Sequence, residues 1–185
     1  MYKEGEYIVY GLNGVCLIES ITTLDMKDVP KDVEYYSLIP LRQGGKIYVR
    51  VDSSQDNMRP VISKDEAERL IKQIDEIEAI KITDEKSVEE LYKSCMRSYD
   101  CIEWVRLIKC IYNRKIKRIE SGKKITATDE KYMRLAEEAL YSELAIALGI
   151  SKDKVLEIIM SYHKKCLRRE FIYGRIHSVM SSRQA

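Results

Sequence analysis

Apolar and polar positions alternate in short runs through the first sixty or so residues of the chain. In Lys46–Val51 every second side chain is apolar, so an extended segment would have one apolar and one polar face. Similar runs are rich in Val, Ile and Tyr and are separated by turn residues, while Pro40 indicates a sheet edge or strand end. The predicted strands are Tyr7–Tyr10, Val15–Ile18, Glu34–Leu41, Lys46–Val51 and Met58–Val61. Five short strands in so few residues predict a small barrel.

From residue 63 onward the apolar positions recur every three to four residues, which is the period of an amphipathic helix. Ser63 and Glu66 fit a capping box, and Gly122 and Gly149 are typical helix stops. Predicted helices start at Ser63, Asp84, Asp100, Thr128 and Ser151, and the second, third and fourth end near Met96, Glu120 and Leu148. The sequence therefore predicts an α+β fold. It has a β-barrel at 1–62, a helical domain of about five helices at 63–164 and a basic tail or extra helix at 165–185.

The third predicted helix carries the only tryptophan of the chain, Trp104, at the margin of its apolar face. Arg106, Lys109, Asn113 and Lys117 share the opposite face. Two interpretations of Trp104 are open. It is either a core or half-buried anchor, or an aromatic side chain that contacts DNA or a partner protein.

Charge is unevenly distributed along a chain whose formal net charge is only +2. Residues 97–124 hold nine basic and three acidic side chains, and residues 151–185 hold eight and three. Such blocks either contact the phosphates of nucleic acid or form solvated helix faces. Hydrophobic residues make up 45% of the chain without a long apolar run or a signal peptide, so we expect a globular, cytoplasmic protein without a membrane segment.

No arrangement of residues typical of catalysis or metal binding is evident. The five cysteines form no CxxC pair and only two histidines are present, so no metal site is predicted and the thiols are expected to be reduced and buried. There is no glycine-rich phosphate loop and no G-x-S-x-G element. The adjacent pairs Glu89–Glu90 and Glu137–Glu138 are expected on solvated surface. We therefore predict no enzyme, no cofactor and no small-molecule substrate.

Residues 143–156 are similar in pattern to a helix-turn-helix, with a glycine turn at Gly149 and a cap at Ser151. The second helix of such a motif must present polar side chains to base edges. Here Val155, Leu156 and Ile159 make that helix strongly apolar, which favours a helical hairpin that closes a bundle.

The beginning of the chain resembles the CarD/CdnL family of bacterial transcription regulators. The resemblance rests on Glu4–Tyr10, Gly14–Ile21, the strand Ile47–Val51 and the run Arg59–Ser63. At the far end, Lys123–Glu130, Leu135–Glu137 and Ser142–Ala145 look like the closing helices of the family. The likeness covers roughly residues 1–160.

This resemblance implies a Tudor-like barrel, shared with the transcription-repair coupling factor, that docks on the β subunit of RNA polymerase. It also implies a helical domain that contacts promoter DNA at the upstream edge of the melted region. There a tryptophan wedge in the minor groove, flanked by basic residues, modulates the open complex. The implied partners are therefore the polymerase β subunit and promoter DNA.

Position by position, Arg50 matches the polymerase-contacting arginine of the family, and Ile47 and Tyr48 lie on the same strand. A second contacting arginine of some members falls at Leu24. Two registers are possible for the wedge. One places it at Trp104, with Arg106 and Lys109 as phosphate partners. The other places it at Lys81 or Ile82, with Lys81 and Lys86 facing DNA, and is preferred because it needs no deletion of a helix.

Two alternative functions remain. The first is an adaptor that binds polymerase without touching DNA. The second is a helix-turn-helix DNA binder centred on Gly149, which acts without polymerase.

Overall fold

A computed structural model describes residues 1–25, 32–42, 44–53 and 57–162 of the chain. The N-terminal part is an antiparallel five-stranded sheet in the order β4-β3-β2-β1-β5. Its strands are β1 Tyr7–Tyr10, β2 Val15–Thr23, β3 Glu34–Pro40, β4 Ile47–Arg50 and β5 Met58–Pro60. All five predicted strands are confirmed, and β2 runs five residues further than the sequence indicated.

The sheet curls around its own apolar core. Val49 of the edge strand β4 and Met58 of the opposite edge strand β5 belong to one buried cluster with Ile8, Ile18 and Leu38. Side chains from both edges can share a core only if the sheet bends back on itself. A β-bulge between Ile18 and Ser20 of β2 provides local bending. The small barrel-like domain predicted from the sequence is therefore confirmed.

Five α-helices follow in the described part of the chain. They are α1 Lys64–Gln73, α2 Val88–Arg97, α3 Cys101–Glu120, α4 Ala127–Leu148 and α5 Lys152–Tyr162. The predicted capping box is present, since Ser63 and Glu66 exchange hydrogen bonds at the start of α1. Gly149 ends α4 with a left-handed φ of 66°. None of these helices is long and apolar enough to cross a membrane. The predicted segment 165–185, both histidines and Cys166 lie outside the described residues.

The helical part begins differently from the sequence prediction at two points. Residues Glu85–Ser87 form a 3-10 turn before α2, where the sequence predicted one continuous helix from Asp84. Helix α4 begins at Ala127, because the side chain of Thr126 accepts a hydrogen bond of 3.0 Å from the amide of Asp129. This cap satisfies an amide that would otherwise lack a partner, so the helix starts directly after Thr126 and one residue earlier than predicted.

Strand β1 packs on both domains. Ile8 points into the barrel core, whereas Val9 and Val15 belong to the buried cluster of the helical domain. Neighbouring residues of a strand point to opposite faces, so one strand can serve two cores. The two domains are therefore in direct apolar contact, and the change of pattern at residue 62 does not separate two independent cores.

An ion pair joins the two domains at this contact. Arg59 of β5 donates two hydrogen bonds to the fully buried carboxylate of Glu143 on α4. The same carboxylate accepts a hydrogen bond of 3.1 Å from the amide of Ile62 and one of 3.3 Å from the Cys101 thiol. Arg59 Nε also donates to the carbonyl of Tyr99. The buried charge is thus paired and hydrogen-bonded, as a buried carboxylate must be.

Candidate functional site

Strand β4 forms an open edge of the sheet and carries most of the predicted polymerase contacts. Within the described residues it pairs only with β3. Tyr48 is 45% exposed and Arg50 lies on the same outward face, whereas Ile47 and Val49 face the barrel core. Of the predicted contact residues on this strand, Tyr48 and Arg50 are therefore exposed, and Ile47 supports the strand from inside.

Arg50 is held in one orientation by a neighbouring carboxylate. Its Nε and Nη2 donate hydrogen bonds of 3.1 and 2.7 Å to the two oxygens of Asp52. These hydrogen bonds raise the pKa of Arg50 and lower the pKa of Asp52, and both side chains are largely in water. Since an exposed ion pair is weak, an incoming carboxylate can replace Asp52 at little cost.

Leu24 and Arg50 lie at the same end of the sheet. Thr22 of β2 pairs with Tyr35 of β3, and Tyr35 pairs with Arg50 of β4. Thr22 therefore lies two strand spacings, about 10 Å, from Arg50, and Leu24 lies two residues further along, about 12 Å from it. The structure therefore brings together the two positions that the resemblance assigned to polymerase contact, although Leu24 is an apolar residue.

Trp104 is not available as a DNA wedge. Its side chain is 1% exposed and lies in the core cluster of the helical domain. The guanidinium carbon of Arg59 lies 5.8 Å from its ring centroid, a cation–π distance. The register that places the wedge at Trp104 is therefore wrong, because this side chain could reach DNA only if the domain opened. The alternative interpretation, a core anchor, is confirmed.

Lys109 was predicted as a phosphate partner of Trp104, but its ammonium group is engaged within the protein. Its ammonium group donates hydrogen bonds to the carbonyls of Ile74, Asp75 and Ile77, at the end of the helical turn that follows α1. An ammonium group has three donors, and all three are used here. Lys109 thus caps the end of a neighbouring helix, where carbonyl groups lack partners. Arg106 is half-exposed and forms an ion pair of 2.7 Å with Glu103.

The second register falls on a segment that runs along α3. The amide of Ile80 donates to the carbonyl of Arg106, which places residues 77–82 beside the middle of α3. Lys81 is exposed, while Ile82 is partly buried against the helical core. Lys86 is exposed in the Glu85–Ser87 turn. Both lysines are therefore accessible to a phosphate backbone, and Ile82 contributes chiefly to packing.

Lys86 belongs to a larger positively charged surface that the site assignment from sequence did not include. We call it the basic corner and define it as Lys86, Arg114, Arg118, Lys123 and Lys124. Arg114 donates hydrogen bonds of 2.6 and 3.0 Å to the carboxylate of Glu85, next to Lys86. Arg118 donates a hydrogen bond of 2.7 Å to the carbonyl of Lys124. The excess of basic residues at 97–124 is the sequence signal that points to it.

Two carboxylates near the basic corner, Glu85 and Asp129, share the guanidinium of Arg114. The hydrogen bond from Arg114 lowers the pKa of Glu85, and the nearby charge of Arg118 lowers it further. Arg114 also donates to the buried Asp129, which accepts a second hydrogen bond, of 2.8 Å, from the hydroxyl of Tyr92. The five cations of the basic corner outnumber the carboxylates of Asp84, Glu85 and Asp129, so the surface keeps a net positive charge that suits a polyanion.

The helix-turn-helix pattern forms a hairpin between α4 and α5. Val155 and Ile159 of α5 are buried against the bundle. The two lysines of α5 are engaged in ion pairs, Lys152 with Glu138 and Lys154 with Glu157. This favours the bundle-closing hairpin over a recognition helix.

Two predictions about side chains outside the site also have clear outcomes. Glu137 is buried, at 6% exposure, and not on solvated surface as the sequence predicted. The four cysteines in the described part of the chain are all buried free thiols, as predicted.

Comparison with known families agrees with the geometry of the N-terminal sheet. Residues 2–62 match the family described as the CarD-like/TRCF RID domain. The N-terminal domain is thus similar to CarD-like RNA polymerase-interacting domains, and its antiparallel five-stranded sheet is consistent with a Tudor-like fold. The match ends one residue before the N-cap of α1, so it does not extend to the helical domain. No curated protein matches the chain.

Proposed function

We propose that this protein regulates transcription by docking on the β subunit of bacterial RNA polymerase and contacting promoter DNA through its helical domain, where it modulates open-complex formation. This role needs no catalytic group. The observation that carries the proposal is the match of residues 2–62 to a polymerase-interacting domain whose edge strand β4 is open. The basic corner supports the second contact.

Docking through β4 follows from the chemistry of an edge strand. Its outward N–H and C=O groups have no strand partner in the described chain, and such groups can hydrogen-bond an added strand from another protein. Tyr48 and Arg50 project beside that edge, and tyrosine and arginine are common hot-spot residues of protein–protein interfaces. Backbone pairing would supply affinity, and these two side chains would supply specificity.

The docking step is tested with a binding assay between the full chain and the isolated lobe of the polymerase β subunit. Arg50→Glu should reduce affinity at least tenfold, because it reverses the charge beside the docking edge. Arg42→Glu is the matched control, since Arg42 is exposed just beyond the opposite end of β3 and should leave affinity unchanged. Absence of binding by the wild type, or equal affinity of the Arg50 variant, would refute the docking proposal.

The DNA contact is tested by footprinting a polymerase–promoter complex. The double variant Lys86→Glu with Lys124→Glu should weaken protection of the upstream promoter edge and flatten the salt dependence of binding, because fewer phosphates are neutralised. Lys64→Glu is the control. Lys64 lies beside the Glu143 end of α4, and about 21 Å of helix separates Glu143 from Asp129 beside the basic corner. A footprint that is unchanged by all three substitutions would favour the adaptor that binds polymerase without DNA contact.

The helix-turn-helix alternative has a separate signature. It requires sequence-specific DNA binding in the absence of polymerase, which a mobility-shift assay would detect. The intramolecular ion pairs of Lys152 and Lys154 do not favour it.

A further inference from the structure

The helical domain has an apolar cavity of about 220 Å³, partly open to solvent, that the proposed role in transcription does not use. Its walls come from four parts of the chain. The segment after α1 contributes Ile77 and Ala79, α3 contributes Ile108, α4 contributes Leu140 and α5 contributes Ile159. Protein interiors are normally packed as tightly as organic crystals, with few voids larger than a water molecule. A space of this size is therefore more than a local packing defect.

The size and lining of the cavity suit a small organic molecule. A dry, apolar cavity of about 150 Å³ is large enough to hold benzene. The present cavity is larger, and its walls are formed mainly by branched aliphatic side chains. Ligand pockets are typically lined in this way, with a small number of polar groups that orient the ligand.

The polar groups at this cavity are cationic or neutral. Lys109 and Asn113 of α3 are among the lining residues, and within the described part of the chain the lining contains no carboxylate. All three donors of Lys109 are occupied by the carbonyls of Ile74, Asp75 and Ile77, so it acts on a ligand as a fixed positive charge. Asn113 is exposed, and its amide can donate a hydrogen bond to an oxygen at the mouth.

We propose that this cavity binds a small amphipathic acid, with its hydrocarbon body between α3, α4 and α5 and its carboxylate at Lys109 and Asn113. The inference does not rest on the docking of the sheet or on the DNA contact. Because Ala79 lies two residues before Lys81, an occupied cavity would also hold the segment that carries Lys81 against α3.

Octanoate is a suitable probe, and octanol is its neutral counterpart. Calorimetric titration of the full-length chain should show saturable binding of octanoate, with octanol at least tenfold weaker because it lacks the charge that Lys109 attracts. Ala79→Phe should reduce octanoate affinity at least tenfold, since the ring would occupy the cavity. Ala127→Phe makes the same change at the exposed start of α4 and should bind octanoate like the wild type.

A second variant and a second measurement guard against misfolding. If Ala79→Phe loses the native circular dichroism spectrum, Ala79→Leu fills less of the cavity and replaces it. Methyl NMR of the wild type should show octanoate-induced shifts at Ile77 and Ile159, and these shifts should be absent from the Ala79 variant. Three results would overturn the proposal: no saturable octanoate binding, equal binding by wild type and the Ala79 variant, or equal affinity for octanol.

Discussion

Removing Arg59 should destabilise the protein strongly, because it leaves the carboxylate of Glu143 without a cation. Glu143 is 0% exposed and accepts two hydrogen bonds from the guanidinium. In Arg59→Met the amide of Ile62 and the thiol of Cys101 would be the only remaining donors among the described residues. Methionine preserves much of the length and apolar surface of the arginine stem, so the change isolates the charge.

The expected size follows from the burial of the carboxylate. Breaking a buried ion pair by removing one partner costs about 3–5 kcal/mol, because the other charge stays uncompensated. With a urea m-value of about 2 kcal/mol/M, the unfolding midpoint should fall by about 1.5–2.5 M. Glu143→Gln should cost less, about 1–3 kcal/mol, since the Arg59 side chain is 28% exposed and can turn to water.

Urea unfolding followed by tryptophan fluorescence measures these changes, since Trp104 is the only tryptophan and lies next to Arg59. Circular dichroism serves as the second probe, because the substitution itself can alter the fluorescence. The double variant Arg59→Met with Glu143→Gln should lose less unfolding free energy than the two single variants together, by at least about 1 kcal/mol. Strict additivity, or a loss below about 1 kcal/mol for Arg59→Met alone, would refute the reasoning.

Three further predictions concern other parts of the molecule. Gly149→Ala should lower the free energy of unfolding by about 1 kcal/mol in a urea titration, because φ is 66° and the new Cβ would touch nothing. Burial raises the pKa of the Cys16 thiol from 9.0 to about 12. The stabilisation that the neutral thiol gives to the folded state is therefore complete below about pH 9 and is lost as the pH rises towards 12. Between about pH 8 and 10.5 the free energy of unfolding of the wild type should therefore fall by about 2 kcal/mol more than that of Cys16→Val. Parallel curves of unfolding free energy against pH would contradict this. Lys109→Met should destabilise the fold by about 1–3 kcal/mol yet leave the salt dependence of promoter binding unchanged, whereas a flatter dependence would restore Lys109 as a phosphate contact.

The site was predictable where it depends on one strand and unpredictable where it depends on packing. Alternation along Lys46–Val51 already placed Tyr48 and Arg50 on the outward face of β4, and the structure agrees. The basic corner was visible only as an excess of charge. Its members come together because Arg114 reaches the Glu85 carboxylate, 29 positions earlier in the chain.

Helical periodicity underestimated the burial of Trp104 for a similar reason. On a single helix it lies at the margin of the apolar face, but α3 is covered on more than one side and also buries Leu107, Cys110 and Ile111. An amphipathic pattern reports one buried face and cannot show that neighbouring helices cover a second one. The same limit explains why Glu137 was assigned to solvent.

The strands, the helices and most of their ends could be predicted from local sequence, because each depends on groups only a few residues apart. The cap of Ser63 on Glu66 and the left-handed Gly149 are examples. Which charged groups are available to partners depends instead on how distant elements pack. Arg59 meets Glu143 across 84 positions and Lys109 meets Ile74 across 35, and both cations donate hydrogen bonds within the fold. Local patterns carry no information about such pairings, since burial and charge compensation arise only when distant elements pack.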